Sequence, residues 1–260
     1  PKGVDDFWIL PGQGDYINPK FLGAKKDTLI TGYVTDVITD LTLDWFKNKR
    51  DKNKPFMMMY LHKAPHRAWW PSPEKFAEFY EKEFPEPETL FDDYSNRGTA
   101  AKSAEMNLLT HMQYMHDSKV RPSTFEEMGK VEPEIVYVRG DGTLMRPNAG
   151  GFNRPFGRAN EEQKKKYDVT LDKINADFKE NWPKMNDKEK MKWKFQRYMQ
   201  DYLGTISSID DNVGRVLNYL DETGLDDNTI VIYTSDQGFY LGEHGSVSYT
   251  HLTLPTRAVV

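Results

Sequence analysis

Apolar positions recur along this chain with periods that separate helices from strands. Val34, Val37, Ile38, Leu41 and Trp45 return at three- and four-residue steps, which gives a helix one apolar face. Thr35 suits its N-terminal cap. The basic run Lys47-Asn-Lys-Arg50 suits the negative end of its dipole. A helix is therefore predicted from Thr35 to about Arg50. Pro55-Phe-Met-Met-Met-Tyr-Leu61 and Thr229-Ile-Val-Ile-Tyr-Thr-Ser235 are short unbroken apolar runs. Such runs suit strands buried on both faces. After Asn186, Phe195, Met199, Tyr202, Ile206, Ile209, Val213, Val216 and Leu220 step by four and three, the signature of a helix or helix pair packed on a sheet. Gly224 supplies its stop. Helix alternating with strand argues for α/β layers.

The middle of the chain reads less clearly. Thr99 to Met115 has Ala101, Ala104, Leu108, Met112 and Met115 on one side and is predicted as one helix. Phe84 to Tyr94 is a polar connection interrupted by proline, and residues 139–158 are rich in glycine and turn formers. We read about 72–186 as an insertion around the mouth of a site. The aromatic loop Trp8 to Pro19 is either a surface excursion or one wall of a cleft.

Composition narrows the classes. With 260 residues, 13% aromatic and 29% charged, the chain is globular and not a disordered segment. The net charge is −5 and no basic face stands out, so nucleic acid is not an expected partner. Lys164 to Lys166 read as a solvated helix face. The absence of cysteine excludes disulfides and thiolate metal sites and says little about compartment. No apolar run reaches the length of a membrane span, and no signal peptide is present. Pro1 stands where an initiator methionine would, so the chain is expected to be an internal fragment.

Candidate chemistry collects where the two predicted strands end, the usual place for ligands in an open α/β sheet. Asp236 and Gln237 follow the second strand. A carboxylate and an amide offer two adjacent hard oxygens of the kind Ca²⁺ or Mg²⁺ prefers, although an Asx turn explains the same residues. Glu243 and His244 follow on a glycine-flanked loop able to fold back over that position. Beyond the first strand, His62, Lys63, His66 and Arg67 place four anion-friendly groups within six residues. Trp69 and Trp70 suit either stacking on a sugar ring or the core.

Ser235-Asp-Gln-Gly-Phe-Tyr-Leu-Gly-Glu-His-Gly245 resembles the C-terminal metal-binding segment of the formylglycine-dependent sulfatases of the alkaline phosphatase superfamily. His62-Lys-Ala-Pro-His66 resembles their His-x-x-Pro-His segment. The resemblance implies an α/β, alkaline-phosphatase-like sulfatase core, a mixed and largely parallel sheet between helices, incomplete here. It implies a partial catalytic domain over 1–245 and a sulfuric-ester hydrolase acting on a sulfated carbohydrate. By residue-wise carry-over Asp236 and Gln237 go to a Ca²⁺ ion, and His66 contacts the sulfate or protonates the leaving alcohol. His62, Lys63, Arg67 and His244 are candidate substrate contacts. Leu10 to Tyr16, His62 to Arg67 and Asp92-Asp-Tyr94 look most like bacterial enzymes acting on sulfated glycans, with a lean toward 6-O-sulfated N-acetylglucosamine. Such enzymes are expected in the periplasm or outside the cell.

The chain also departs from that family. Its formylglycine comes from cysteine or serine in a C/S-x-P-x-R motif, which neither Trp70-Pro-Ser-Pro73 nor Arg121-Pro-Ser-Thr124 fits. The nucleophile is expected in a missing N-terminal part, so the fragment should be inactive alone. The family's lysine beyond Gly245 is absent, and Asp92-Asp93 are not its opening aspartate pair, since they follow no buried strand. Val247 to Thr256 resembles a one-frame translation of a transposase adapter, so 246–260 is read as a non-native tail and His251 is left out of the site. Alternatives are a phosphodiesterase or phosphonate hydrolase of the same superfamily, or a non-catalytic carbohydrate-binding module built on Trp8, Trp69 and Trp70.

Overall fold

A computed structural model of the chain describes residues 3–102, 107–129, 137–138, 144–145, 150–236 and 238–247. In chain order its elements are β1 (Trp8–Ile9), β2 (Lys20–Gly23), β3 (Thr28–Leu29), α1 (Val34–Asp44), α2 (Pro73–Tyr80), α3 (Thr99–Lys102), α4 (Leu108–His111), α5 (Pro122–Glu127), β4 (Tyr137–Val138), β5 (Leu144–Met145), α6 (Gly150–Arg158), α7 (Glu161–Asn181) and α8 (Asp187–Glu222). Among the described residues no helix is long and apolar enough to cross a membrane. The chain divides into two compact units. One takes Pro1–Phe79, Asn153–Tyr167 and Asp201–Ile232, the other Tyr80–Phe152, Asp168–Gln200 and Tyr233–Val260.

In the first unit β1, β2 and β3 form an antiparallel meander with Trp8 opposite Gly23 and Phe21 opposite Thr28. Gly23 is required there, because a Cβ would lie 2.8 Å from the Trp8 ring. Helix α1 buries Val34 and Val37 as its period predicts, leaves Ile38, Leu41 and, just past its end, Trp45 half-buried, and also buries Leu43, which the period did not single out. The cap is Tyr33, whose side chain makes no capping bond, and Thr35 is buried inside the first turn. The helix widens into a π-helical stretch over Trp45–Lys49. Phe46 there meets Phe56 at 5.1 Å and Tyr219 at 5.8 Å between ring centroids, and its own burial contributes on the order of 2 kcal/mol. Asn212 of α8 donates to Asp36 at 2.7 Å, and Arg215 pairs with Asp40. The whole periodic run from Asp187 to Glu222 is one helix.

The two predicted strands are not paired into a sheet, and this corrects the sequence reading. Phe56, Met58 and Tyr60 are half-buried while Met57, Met59 and Leu61 are exposed, Met57 by 84%. That alternation belongs to a strand with one covered face, here anchored by the 2.5 Å hydrogen bond between Thr39 Oγ1 and Tyr60 Oη. Ile230 and Ile232 are 90% and 83% exposed. A strand owes its order to a ladder partner and a covering layer. Among the described residues neither run has a ladder partner.

The second unit packs around Tyr114, Val120, Phe125, Phe178 and Trp182. Lys194 is buried under this cluster, where its ammonium donates to Leu109 O at 2.7 Å and Met112 O at 2.5 Å and lies 4.0 Å from the Tyr114 ring centroid. The single helix predicted over 99–115 is broken. Asn107 caps α4, its Oδ1 accepting from the Leu109 and Thr110 amides, and its backbone bridges to Ser246. Part of the turn-rich stretch is helical as α6. Helix α7 carries Tyr167, Leu171, Ile174 and Phe178, all buried at four- and three-residue steps. Of the tail, Ser246 and Val247 are described, and Val247 is fully buried with its carbonyl accepting from the Tyr240 amide. His251 lies outside the described residues.

Candidate functional site

In the first unit the four anion-friendly residues share one tight turn. The His66 amide donates to Lys63 O at 2.9 Å, and His66 Nδ1 contacts Arg67 O. The aromatic loop folds against this turn. Tyr16 is buried and its hydroxyl donates to His66 O at 2.6 Å. Lys63 Nζ donates to Gln13 O at 2.8 Å and lies 4.7 Å from the Tyr16 ring centroid. Asp15 in the same loop pairs with Arg154 at 3.1 Å and Arg158 at 3.4 Å. Arg158 also donates to Ile17 O and Asn18 O, which clamps the loop to α6.

Burial sets the charge of this turn. His62 stacks edge-on against Tyr60 at 4.4 Å, and neither ring nitrogen has a hydrogen-bond partner among the described residues. Desolvation pushes its pKa down to about 4, so His62 is neutral at pH 7 and offers one N–H and one lone pair. Desolvation pushes Lys63 down to about 8, with Asp15 opposing the fall and Arg154 adding to it. Lys63 therefore remains mostly cationic at pH 7. His66 is exposed and Arg67 half-buried. Trp69 and Trp70 are fully buried, against Tyr202 and Tyr167. They are core and offer no sugar platform.

In the second unit His244 is held at both ends of its backbone and by its ring. Its amide donates to Thr89 Oγ1 at 3.0 Å, its carbonyl accepts from Tyr94 Oη at 2.5 Å, and its Nδ1 lies 2.7 Å from Asp92 Oδ2. Thr89 also donates to Glu243. Asp92 accepts further from the Tyr94 amide and Arg97. The Tyr94 amide, ahead of His244, holds its carboxyl below the usual range. Sequence reasoning missed Tyr16, Asp15 and Thr89 as partners, since contacts across 50 or more residues leave no trace in periodicity.

Asp236 is exposed just past the run Ile230–Ser235, and Gln237 lies outside the described residues. Among the described residues no group of three or more His, Asp or Glu side chains is placed to hold a metal. One carboxylate and one amide fall short of the six to eight oxygens Ca²⁺ takes, so these residues do not by themselves fit a calcium ion.

The family model described as Sulfatase matches residues 2–256. The N-acetylglucosamine-6-O-sulfatase of Bacteroides thetaiotaomicron is 41% identical over 248 residues, covering 94% of this chain and 41% of that protein. The iduronate 2-sulfatase of Mus musculus is 45% identical over 65 residues, 24% of this chain and 12% of its own. A solved structure in complex with its substrate D-glucosamine-2-N,6-O-disulfate superposes with a TM-score of 0.79 at 38% identity, over 95% of this chain and 47% of the other. The chain thus spans less than half the length of these relatives. With the Sulfatase family model matched over residues 2–256, the chain belongs to the sulfatase family.

Proposed function

We propose that this chain is the portion of a sulfuric-ester hydrolase that grips the sulfated sugar, and that the sugar is a 6-O-sulfated glucosamine unit of a glycan. The observation carrying this reading is the 41% identity across 94% of the chain to an N-acetylglucosamine-6-O-sulfatase. It is supported by the turn in which Lys63 and Arg67 supply positive charge beside His62 and His66. In this reading Lys63 and Arg67 draw the sulfate oxygens. His62, neutral in its apolar setting, donates its N–H. His66, the exposed imidazole of the turn, protonates the alcohol oxygen as the ester breaks; a sugar alkoxide is too basic to leave without that proton. Tyr16 fixes the His66 backbone so that the imidazole keeps one direction.

Asp236 and Gln237 would give two oxygens to a Ca²⁺ ion whose remaining ligands are not among the described residues, and no step is routed through it. The family's formylglycine, the nucleophile, has no counterpart in these 260 residues. A periplasmic or extracellular site of action follows from the glycan substrate.

The test is sulfate release from 6-O-sulfated N-acetylglucosamine by an enzyme carrying this chain within its complete reading frame. Free sulfate from that sugar, and none from the 6-phosphate analogue, is the expected result. Release of phosphate alone would overturn it in favour of a phosphoesterase.

A further inference from the structure

The loop that carries His244 is bent in a way few sequences tolerate. Leu241, Gly242, His244 and Gly245 all have positive φ, at +52°, +88°, +55° and +65°. Only glycine takes that region without strain, and a non-glycine residue there costs on the order of 1–3 kcal/mol. The loop is nevertheless tightly fixed. The Gly242 amide donates to Ser246 O at 3.0 Å and the Ser246 amide to Glu243 O at 3.0 Å. A Cβ on Gly242 would stand 2.5 Å from the Phe195 ring, and one on Gly245 would stand 2.9 Å from Leu90 O. Both glycines are needed for the loop to sit against α8 and the 87–94 segment.

The strain ends on one side chain. His244 carries a left-handed backbone although it is not glycine, its amide and carbonyl are both taken, and its ring meets Asp92 at 2.7 Å. Asp92 in turn is oriented by the Tyr94 amide at 2.8 Å and by Arg97 at 3.1 Å. A carboxylate accepting at Nδ1 fixes the proton there in the neutral ring and leaves Nε2 as the outward atom. A strained residue whose surroundings over-determine it is the arrangement found where a side chain must be pre-aimed.

We propose that Asp92 is a positioning residue: it holds the His244 imidazole through Nδ1 so that Nε2 is the atom presented to the sulfated sugar. The identity of the ligand rests on the sulfatase reading above; the tautomer does not.

The experiment is long-range ¹H–¹⁵N spectroscopy of the 260-residue chain labelled at its six histidines, with His244→Gln giving the assignment. The expected result is a His244 ring protonated on Nδ1 with Nε2 bare. Titration with glucosamine 6-sulfate should move His244 Nε2. In Asp92→Ala the ring should revert to the common Nε2–H tautomer, and apparent affinity for the sugar should fall about tenfold. Asp92→Asn, which keeps an acceptor, should retain part of it. A wild-type His244 already in the Nε2–H form would overturn the positioning role without any variant being made. A sugar that binds the chain and leaves His244 Nε2 still would overturn it as well. If the sugar does not bind while Nδ1 carries the proton, the sulfated-sugar reading itself fails, and the ligand named here with it.

Discussion

The Tyr16 hydroxyl lies 2.6 Å from the backbone carbonyl of His66 and ties the aromatic loop to the His62–Arg67 turn across fifty positions of sequence. Tyr16→Phe removes only that bond, since the ring and the Lys63 cation over it are kept. A single hydrogen bond of this kind is worth about 1 kcal/mol net. Urea unfolding should show a loss of that size, with His66 amide exchange accelerated. Unchanged stability and exchange would show that the loop is held by other means.

His62 gives the chain an acid-side weakness. Burial lowers its folded pKa from 6.5 to about 4. Between those values the unfolded chain binds more protons than the folded one, so the contribution is present above pH 6.5 and is lost as pH falls toward about 4. Against His62→Phe, wild-type stability should decline through that window while the variant's own curve lacks this component. Parallel curves would mean that His62 is solvated and charged in the folded chain.

Calcium should bind this chain poorly. Asp236 is one exposed carboxylate, and among the described residues no cluster completes a metal site. Millimolar Ca²⁺ should leave the melting temperature unchanged. A rise that Asp236→Ala abolishes would show that the chain alone assembles a metal site.

The unpaired apolar runs should matter for association and not for stability. Met57, Met59, Ile230 and Ile232 are exposed, and exposed positions away from special features usually shift stability by less than about 0.5 kcal/mol. Met57→Thr with Met59→Thr should leave the unfolding midpoint in place and reduce self-association seen by light scattering, because uncovered strand edges recruit other chains. A fall in the midpoint would place these side chains in a core.

Elements stabilised by their own local pattern were legible in the sequence. The apolar face of α1 and the long run of α8 follow from three- and four-residue steps, and the charge of the His62–Arg67 turn follows from residue type. Helix α7 carries the same signal in Tyr167, Leu171, Ile174 and Phe178, and polar composition around them masked it. The break between α3 and α4 was not legible, because Asn107 decides it through a cap and a bridge to Ser246. The two runs read as buried strands fail for a different reason. Their composition asks for a sheet, and a sheet needs partners that the described residues do not supply. Asp92 was read as part of a sulfatase-like segment and not as a partner of His244; only the folded loop shows it against that ring.

The most direct measurement compares leaving groups in the complete enzyme carrying His66→Ala. If His66 delivers a proton to a sugar alkoxide, hydrolysis of N-acetylglucosamine 6-sulfate should slow by about 10²–10⁴-fold. Hydrolysis of nitrophenyl sulfate, whose leaving group needs no proton, should fall far less at equal folded content. Equal losses on both substrates would remove the acid role and leave sulfate binding. Wild-type rates on both would contradict the claim that the His62–Arg67 turn faces the sulfate ester.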